Sequence, residues 1–99
     1  MKLKFIANAC CIVESNEGTK IVSDPWLNDG VFDGSWCHFH ELKITWDDLQ
    51  SVDAVYVSHI HPDHFDDRFF QFPKDTPMIV LDHGMNFLHK NLIKMGYTN

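Results

Sequence analysis

A chain of 99 residues, 44% hydrophobic, 13% aromatic and 22% charged, has the make-up of one small globular domain, not of a disordered segment. Fourteen acidic against eight basic residues leave a net charge of −6 with histidines neutral. That balance argues against a passive nucleic-acid binder with a basic face, though not against an anionic substrate held through metal cations, and no apolar run approaches the ~20 residues of a membrane span.

The opening MKLKFIANAC faintly resembles an export signal, but its apolar centre is only Phe5, Ile6 and Ala7, far short of such a segment. It is read as the first strand, and the protein as cytoplasmic. Residues 2–7 and 9–14 are apolar β-forming stretches, SNEGT is a turn with Gly18 at its tip, and residues 20–24 return as a strand stopped by Pro25. Cys10 and Cys11 are adjacent and would face opposite sides of a strand, so with Cys37 they suit reduced intracellular thiols better than a disulfide framework.

A long irregular segment, PWLNDGVFDGSWCHFHELKI, follows, and loops of that length in small domains are usually functional or mobile. TWDDLQS predicts a short helix with Thr45 as N-cap and Asp47 and Asp48 in its first turn. Residues 53–58, DAVYVS, predict a strand buried on both faces. Residues 65–72 predict a second short helix, with Asp66 and Asp67 at its start, and residues 77–82 another strand. Met85, Leu88, Leu92 and Met95 recur at helical spacing before Gly96, a C-cap. The order describes an α/β layer with a hairpin start and a parallel continuation. GYTN after the last helix looks like the lead-in to a further strand, so residues 1–99 are expected to form a single, partial domain.

The chemistry concentrates in VSHIHPDHFDD, residues 57–67, with three of the chain's seven histidines and an aspartate in six positions. His59 and His61 are two apart on extended backbone and project the same way, with Ile60 between them pointing to the core. Pro62 bends the chain, and Asp63 and His64 come round on the turn beyond. Imidazoles and a carboxylate converging at a strand end suit divalent metals, zinc first, with iron or manganese as other candidates. The pattern divides into two pairs, His59 with His61 for one ion and Asp63 with His64 for another.

SHIHPDH resembles the H-x-H-x-D-H signature of the metallo-β-lactamase fold superfamily. The adjacent cysteines, the DPWL step and the aromatic segment ending in His-Glu resemble its CMP-N-acetylneuraminate hydroxylase-like branch. The resemblance implies the N-terminal half of an αββα sandwich, built here as a β-hairpin start and then β-loop-α-β-α. It implies a dinuclear site begun by His59, His61, Asp63 and His64, whose later ligands lie beyond this stretch of the family pattern. It further implies a hydrolase using metal-activated water, with Asp63 as a catalytic residue orienting the nucleophile and passing on its proton. The alternative within the branch is iron-dependent hydroxylation of a nucleotide-linked sugar. From another class comes a non-catalytic half-domain that needs a second chain to complete the metal site. The expected substrate is a small molecule, phosphorylated or nucleotide-linked.

Four residues are candidates for supporting roles. The family comparison suggests that Asp24 lies beneath the motif and orients a ligand, though a turn-forming Asp before Pro25 reads equally well. His38 and His40, in CHFHE, are read as a loop over the site. Cys37 and His40 have the C-x-x-H spacing of half a Rieske centre, but the complementary C-x-H is absent from these 99 residues, which excludes that centre here. His83, beside Asp82, either faces the site or belongs to a helix-entry turn capped by Asp82. His89 is read as lying on a helix face.

Overall fold

The computed structural model describes residues 1–31, 34–39, 42–81 and 87–99. Five strands form one sheet in the order of the sequence: β1 (Lys2–Ala7), β2 (Cys10–Glu14), β3 (Lys20–Ser23), β4 (Ala54–Val57) and β5 (Met78–Val80). The first three make an antiparallel meander, whereas β4 lies parallel to β3 and β5 parallel to β4. Asn8, at φ 56°, turns β1 into β2, and the side chain of Ser15 accepts the Thr19 N–H at 3.1 Å in the next turn, where Gly18 sits at φ 90°. Left-handed φ is cheap for glycine and tolerable for asparagine, which is why these two residues mark the reversals.

Alternation separates the two faces of the sheet. Cys10, Val22, Val55 and Val57 point to one side and are buried against Leu49, Phe65, Phe70, Phe72, Leu88, Leu92 and Tyr97. Phe70 is the centre of an aromatic cluster, with ring centroids 4.9 Å from Phe65, 5.0 Å from Phe72 and 5.5 Å from Tyr97. The opposite face is largely uncovered: Leu3 and Phe5 are each 69% exposed, Ile79 44% and Leu81 54%. Strand β4 was expected to be buried on both faces, yet Ala54 and Tyr56 are only half-buried, whereas Val55 and Val57 are fully buried.

Between β3 and β4 the chain makes the expected short helix, of 3₁₀ type (Trp46–Leu49), with Thr45 as its N-cap and the Thr45 N–H donating to Asp48 Oδ2 at 2.8 Å. After β5 comes α1 (Phe87–Lys94), which buries Leu88 and Leu92, one turn apart. Gly96 at φ 101° ends it, with the Tyr97 N–H on the Leu92 carbonyl and the Gly96 N–H on that of Ile93, both at 3.0 Å, a Schellman closure. Met85, with which the helical spacing was expected to begin, lies outside the described residues.

The helix expected over residues 65–72 does not form. Phe65, Phe70 and Phe72 are buried, whereas Phe69 and Gln71 are exposed. Spacings of five and two fit irregular backbone, not one helical face. Asp66 therefore does not open a helix. Its buried carboxylate receives the Arg68 Nε and Nη2 protons, both at 2.9 Å, and the Arg68 backbone N–H at 3.2 Å. Ile60 is also corrected: at 44% exposure it points outward, not into the core.

Candidate metal centre

Parallel pairing of β3 and β4 brings two strand ends together. Asp24 directly follows β3 and Ser58 directly follows β4, and the Asp24 N–H donates to the Tyr56 carbonyl at 2.8 Å, extending the ladder by one bond. Asp24 is 4% exposed and has φ 40°, a left-handed conformation that Asp tolerates better than most residues. The twist turns its carboxylate across the strand ends. Oδ1 accepts the Ser58 N–H at 2.7 Å, Oδ2 accepts the Ser58 hydroxyl at 2.8 Å, and His64 Nδ1 lies 3.0 Å from Oδ2.

Ser58 extends this arrangement to a second imidazole. Its Oγ stands 2.8 Å from His59 Nδ1, and because its own proton is directed to Asp24, Oγ accepts there. One buried carboxylate thus places the proton of both His59 and His64 on Nδ1, leaving each Nε2 with a free lone pair. The ring centroid of His59 lies 4.7 Å from that of His61 and 4.1 Å from that of His64. Desolvation of the His59 ring, and then the like charges of His64 and His61, hold its pKa below the ordinary histidine value.

Asp63 is buried and anchored from another strand end. Asn8, in the turn after β1, donates through Nδ2 to both the carbonyl and Oδ2 of Asp63, each at 3.1 Å. Asp63 Oδ2 and His64 Nε2 are 3.4 Å apart. Two donors each ~2.0–2.1 Å from one tetrahedral ion stand about 3.3–3.4 Å from one another, so this pair has the spacing of neighbouring ligands. Among the described residues, no three His, Cys, Asp or Glu side chains form a set that could hold a metal ion by itself. The donors are gathered, but the cage is not closed.

His38 is occupied elsewhere. Its ring stacks on Trp26 at 4.0 Å, Nδ1 lies 3.0 Å from Asp29 Oδ1 and Nε2 lies 3.1 Å from the Trp26 carbonyl. These contacts fasten the loop after β3 to itself. The same histidine lowers the Asp29 pKa, through its backbone N–H first and its ring second. His40 and His83, with Asp82, lie outside the described residues. His89 is an exposed residue of α1. The sequence reading missed Ser58 and Asn8. Adjacency to His59 was a usable signal for Ser58, whereas nothing local marks Asn8, which acts across 55 positions.

Comparison with known proteins agrees with the fold. The sequence model of the beta-lactamase superfamily domain matches residues 2–92. The chain belongs to this superfamily, with the metallo-β-lactamase fold. A Delia radicum gut-bacterial isothiocyanate hydrolase superimposes with a TM-score of 0.75 at 28% identity, over 100% of this chain and 39% of its own. A candidate metal-dependent hydrolase of Veillonella parvula gives 0.76 at 28% identity, over 98% and 40%. Among curated relatives, a candidate Rieske 2Fe-2S iron–sulfur protein of Mycolicibacterium smegmatis is 35% identical over 100% of this chain and 19% of its own length. The cytidine monophosphate-N-acetylneuraminic acid hydroxylase of Asterias rubens is 32% identical over 86% of this chain and 14% of its own. The chain thus spans about a fifth or less of these curated relatives and about two fifths of the solved superfamily structures. In the described residues, no helix is long and apolar enough to cross a membrane.

Proposed function

We propose that this chain supplies the first metal-binding half of a metallo-β-lactamase-fold, metal-dependent hydrolase acting on a small molecule. The observation that carries the proposal is the Asp63 Oδ2 to His64 Nε2 spacing of 3.4 Å, beside a further imidazole, His59, oriented through Ser58 and Asp24. His59 and His61 would hold one ion and Asp63 and His64 the other, with zinc the leading candidate and iron or manganese the others. Bound metal would supply a water of lowered pKa and polarise a carbonyl or phosphoryl group. The chain's own contribution is orientation: Asp24 fixes the tautomers of two imidazoles, and Asn8 holds Asp63 by its carbonyl and Oδ2, so that a proton would be taken up at the other carboxylate oxygen, Oδ1. The substrate proposed is small and phosphorylated or nucleotide-linked.

The similarity to hydroxylases favours a second reading, iron-dependent oxygenation that draws electrons from a separate donor. Three free cysteines suit a reducing, cytoplasmic setting under either reading. The open apolar sheet face and the unclosed donor set support a requirement for additional protein, from a second chain or from further polypeptide, to complete the site. The test is metal analysis with anaerobic and aerobic turnover of the complete protein. Zinc content with oxygen-independent ester or phosphoester hydrolysis supports the hydrolase. Iron content with oxygen consumption coupled to oxidation selects the hydroxylase, and no metal binding in the complete protein refutes both.

A further inference from the structure

A cavity of about 760 Å³ lies away from the histidines and collects half of the chain's cationic side chains. Its position follows from the register of the sheet. Lys2 pairs with Glu14 and Glu14 with Lys20 at one end of the meander, whereas Ala7, Cys10 and Asn8, which reaches Asp63, lie at the other. The cavity is at the lysine end, between β1, β2 and the segment around the 3₁₀ helix. Ile6, Ile12 and Ile44 line it with apolar surface that packs against the edge of the core. Lys2, Lys4, Lys20 and Lys43 line it as well.

The two acidic residues in the lining do not neutralise the four lysines. Glu14 is paired with Lys20 at 3.8 Å, and Asp48 Oδ2 is taken by the backbone N–H and hydroxyl of Thr45, at 2.8 and 3.2 Å. Among the described residues, Lys2, Lys4 and Lys43 have no ion-pair partner, and all three are exposed. On β1 the alternation is informative, because Lys2 and Lys4 share the face of Ile12 and Glu14, which line the cavity, while Leu3 faces the other way. In a chain of net charge −6, a local excess of cations around an apolar floor makes a directed field, not a solvated average. The volume falls within the ~300–1,000 Å³ of small-molecule sites, and lysine stems can lie along an apolar ligand while their ammonium groups meet its charge.

We propose that this cavity binds an anionic amphiphile, a carboxylate or phosphate monoester carried on an apolar body, at a site separate from the histidine cluster. The apolar body occupies the isoleucine floor, and the anionic head lies between Lys4 and Lys43. The proposal is independent of the reaction assigned to the histidines.

Isothermal titration of the full chain with dodecanoate below its micelle range tests it, with dodecyltrimethylammonium as the cation of matched length. Dodecanoate is expected to bind at least ten-fold more tightly than the cation, and to weaken as salt is raised. The double variant Lys4→Gln/Lys43→Gln removes charge from two exposed positions and is expected to lose at least ten-fold in dodecanoate affinity. Equal binding of both amphiphiles, absence of dodecanoate binding, or unchanged affinity in the double variant would each overturn the proposal. A change of mass in solution in the double variant, without dodecanoate binding by the parent chain, would assign the surface to a protein partner and overturn it equally.

Discussion

Asp24 and Ser58 are joined twice, carboxylate to backbone N–H at 2.7 Å and carboxylate to hydroxyl at 2.8 Å, across the ends of two parallel strands. This clamp decides where the histidine loop begins. The third bond, from His64 Nδ1 to Asp24 Oδ2, ties the far end of the motif to the same carboxylate. A single buried side chain therefore couples the sheet to two of the proposed ligands.

Removing that side chain should separate folding from metal binding. Asp24→Ala leaves the Ser58 N–H without its acceptor and places alanine at φ 40°, so a loss of about 2–4 kcal/mol is expected in urea unfolding of the metal-free chain. Asp24→Asn keeps an oxygen for Ser58 and tolerates the left-handed backbone, so its loss should be roughly half of that. Both variants should weaken metal binding by about 10–100-fold, measured with a chromogenic chelator, because His64 loses the carboxylate that orients it. Unchanged metal affinity in Asp24→Ala would show that the clamp serves the fold alone.

The part of this arrangement that was legible in the sequence is the local part. His59, His61, Asp63 and His64 lie within six positions, and the strands flanking them read from alternation and turn residues. Asp24 was named from family likeness, while the turn-forming alternative was equally open, because only parallel pairing brings residue 24 beside residue 58. Asn8 was invisible for the same reason. The false helix at residues 65–72 has another cause. Asp66 and Asp67 suited a helix start, but the core takes three of the segment's four phenylalanines at spacings that only irregular backbone can present. Tyr97 reinforces that outcome from the end of the described chain.

Tyr97 should accordingly be worth more than its ring. Its hydroxyl accepts the Phe72 N–H at 2.9 Å and donates to the Phe72 carbonyl at 3.1 Å, and the ring is 2% exposed. Tyr97→Phe keeps the packing against Phe70 but leaves two buried backbone groups without partners. The expected cost is about 1–3 kcal/mol in denaturant unfolding, with metal affinity unchanged. A loss below ~0.5 kcal/mol would mean that water replaces the hydroxyl at this position.

His38 should affect stability but not metal binding. His38→Ala removes a stack on Trp26 and the contacts of both ring nitrogens, in a side chain only 7% exposed. A loss of about 1–2 kcal/mol is expected, with metal affinity within two-fold of the parent. A ten-fold fall in metal affinity would instead place this loop in mechanical contact with the metal centre.

Cys10 offers a pH test with a defined sign. Burial is the main cause that pushes its thiol from 9.0 up to about 12, with the neighbouring Cys11 charge next. The folded state therefore holds a proton that the unfolded chain releases above about pH 9, so the stability from this group is complete below that pH and declines as pH rises towards 12. At pH 8 the folded Cys10 thiolate is far scarcer than that of an ordinary exposed thiol. Iodoacetamide at pH 8 should therefore label the exposed Cys37 promptly and reach Cys10 only as the chain opens, which peptide mass mapping would follow against added urea. Labelling of Cys10 as fast as Cys37 in native buffer would show that the start of β2, where Cys10 pairs with Ala7 of β1, opens without global unfolding.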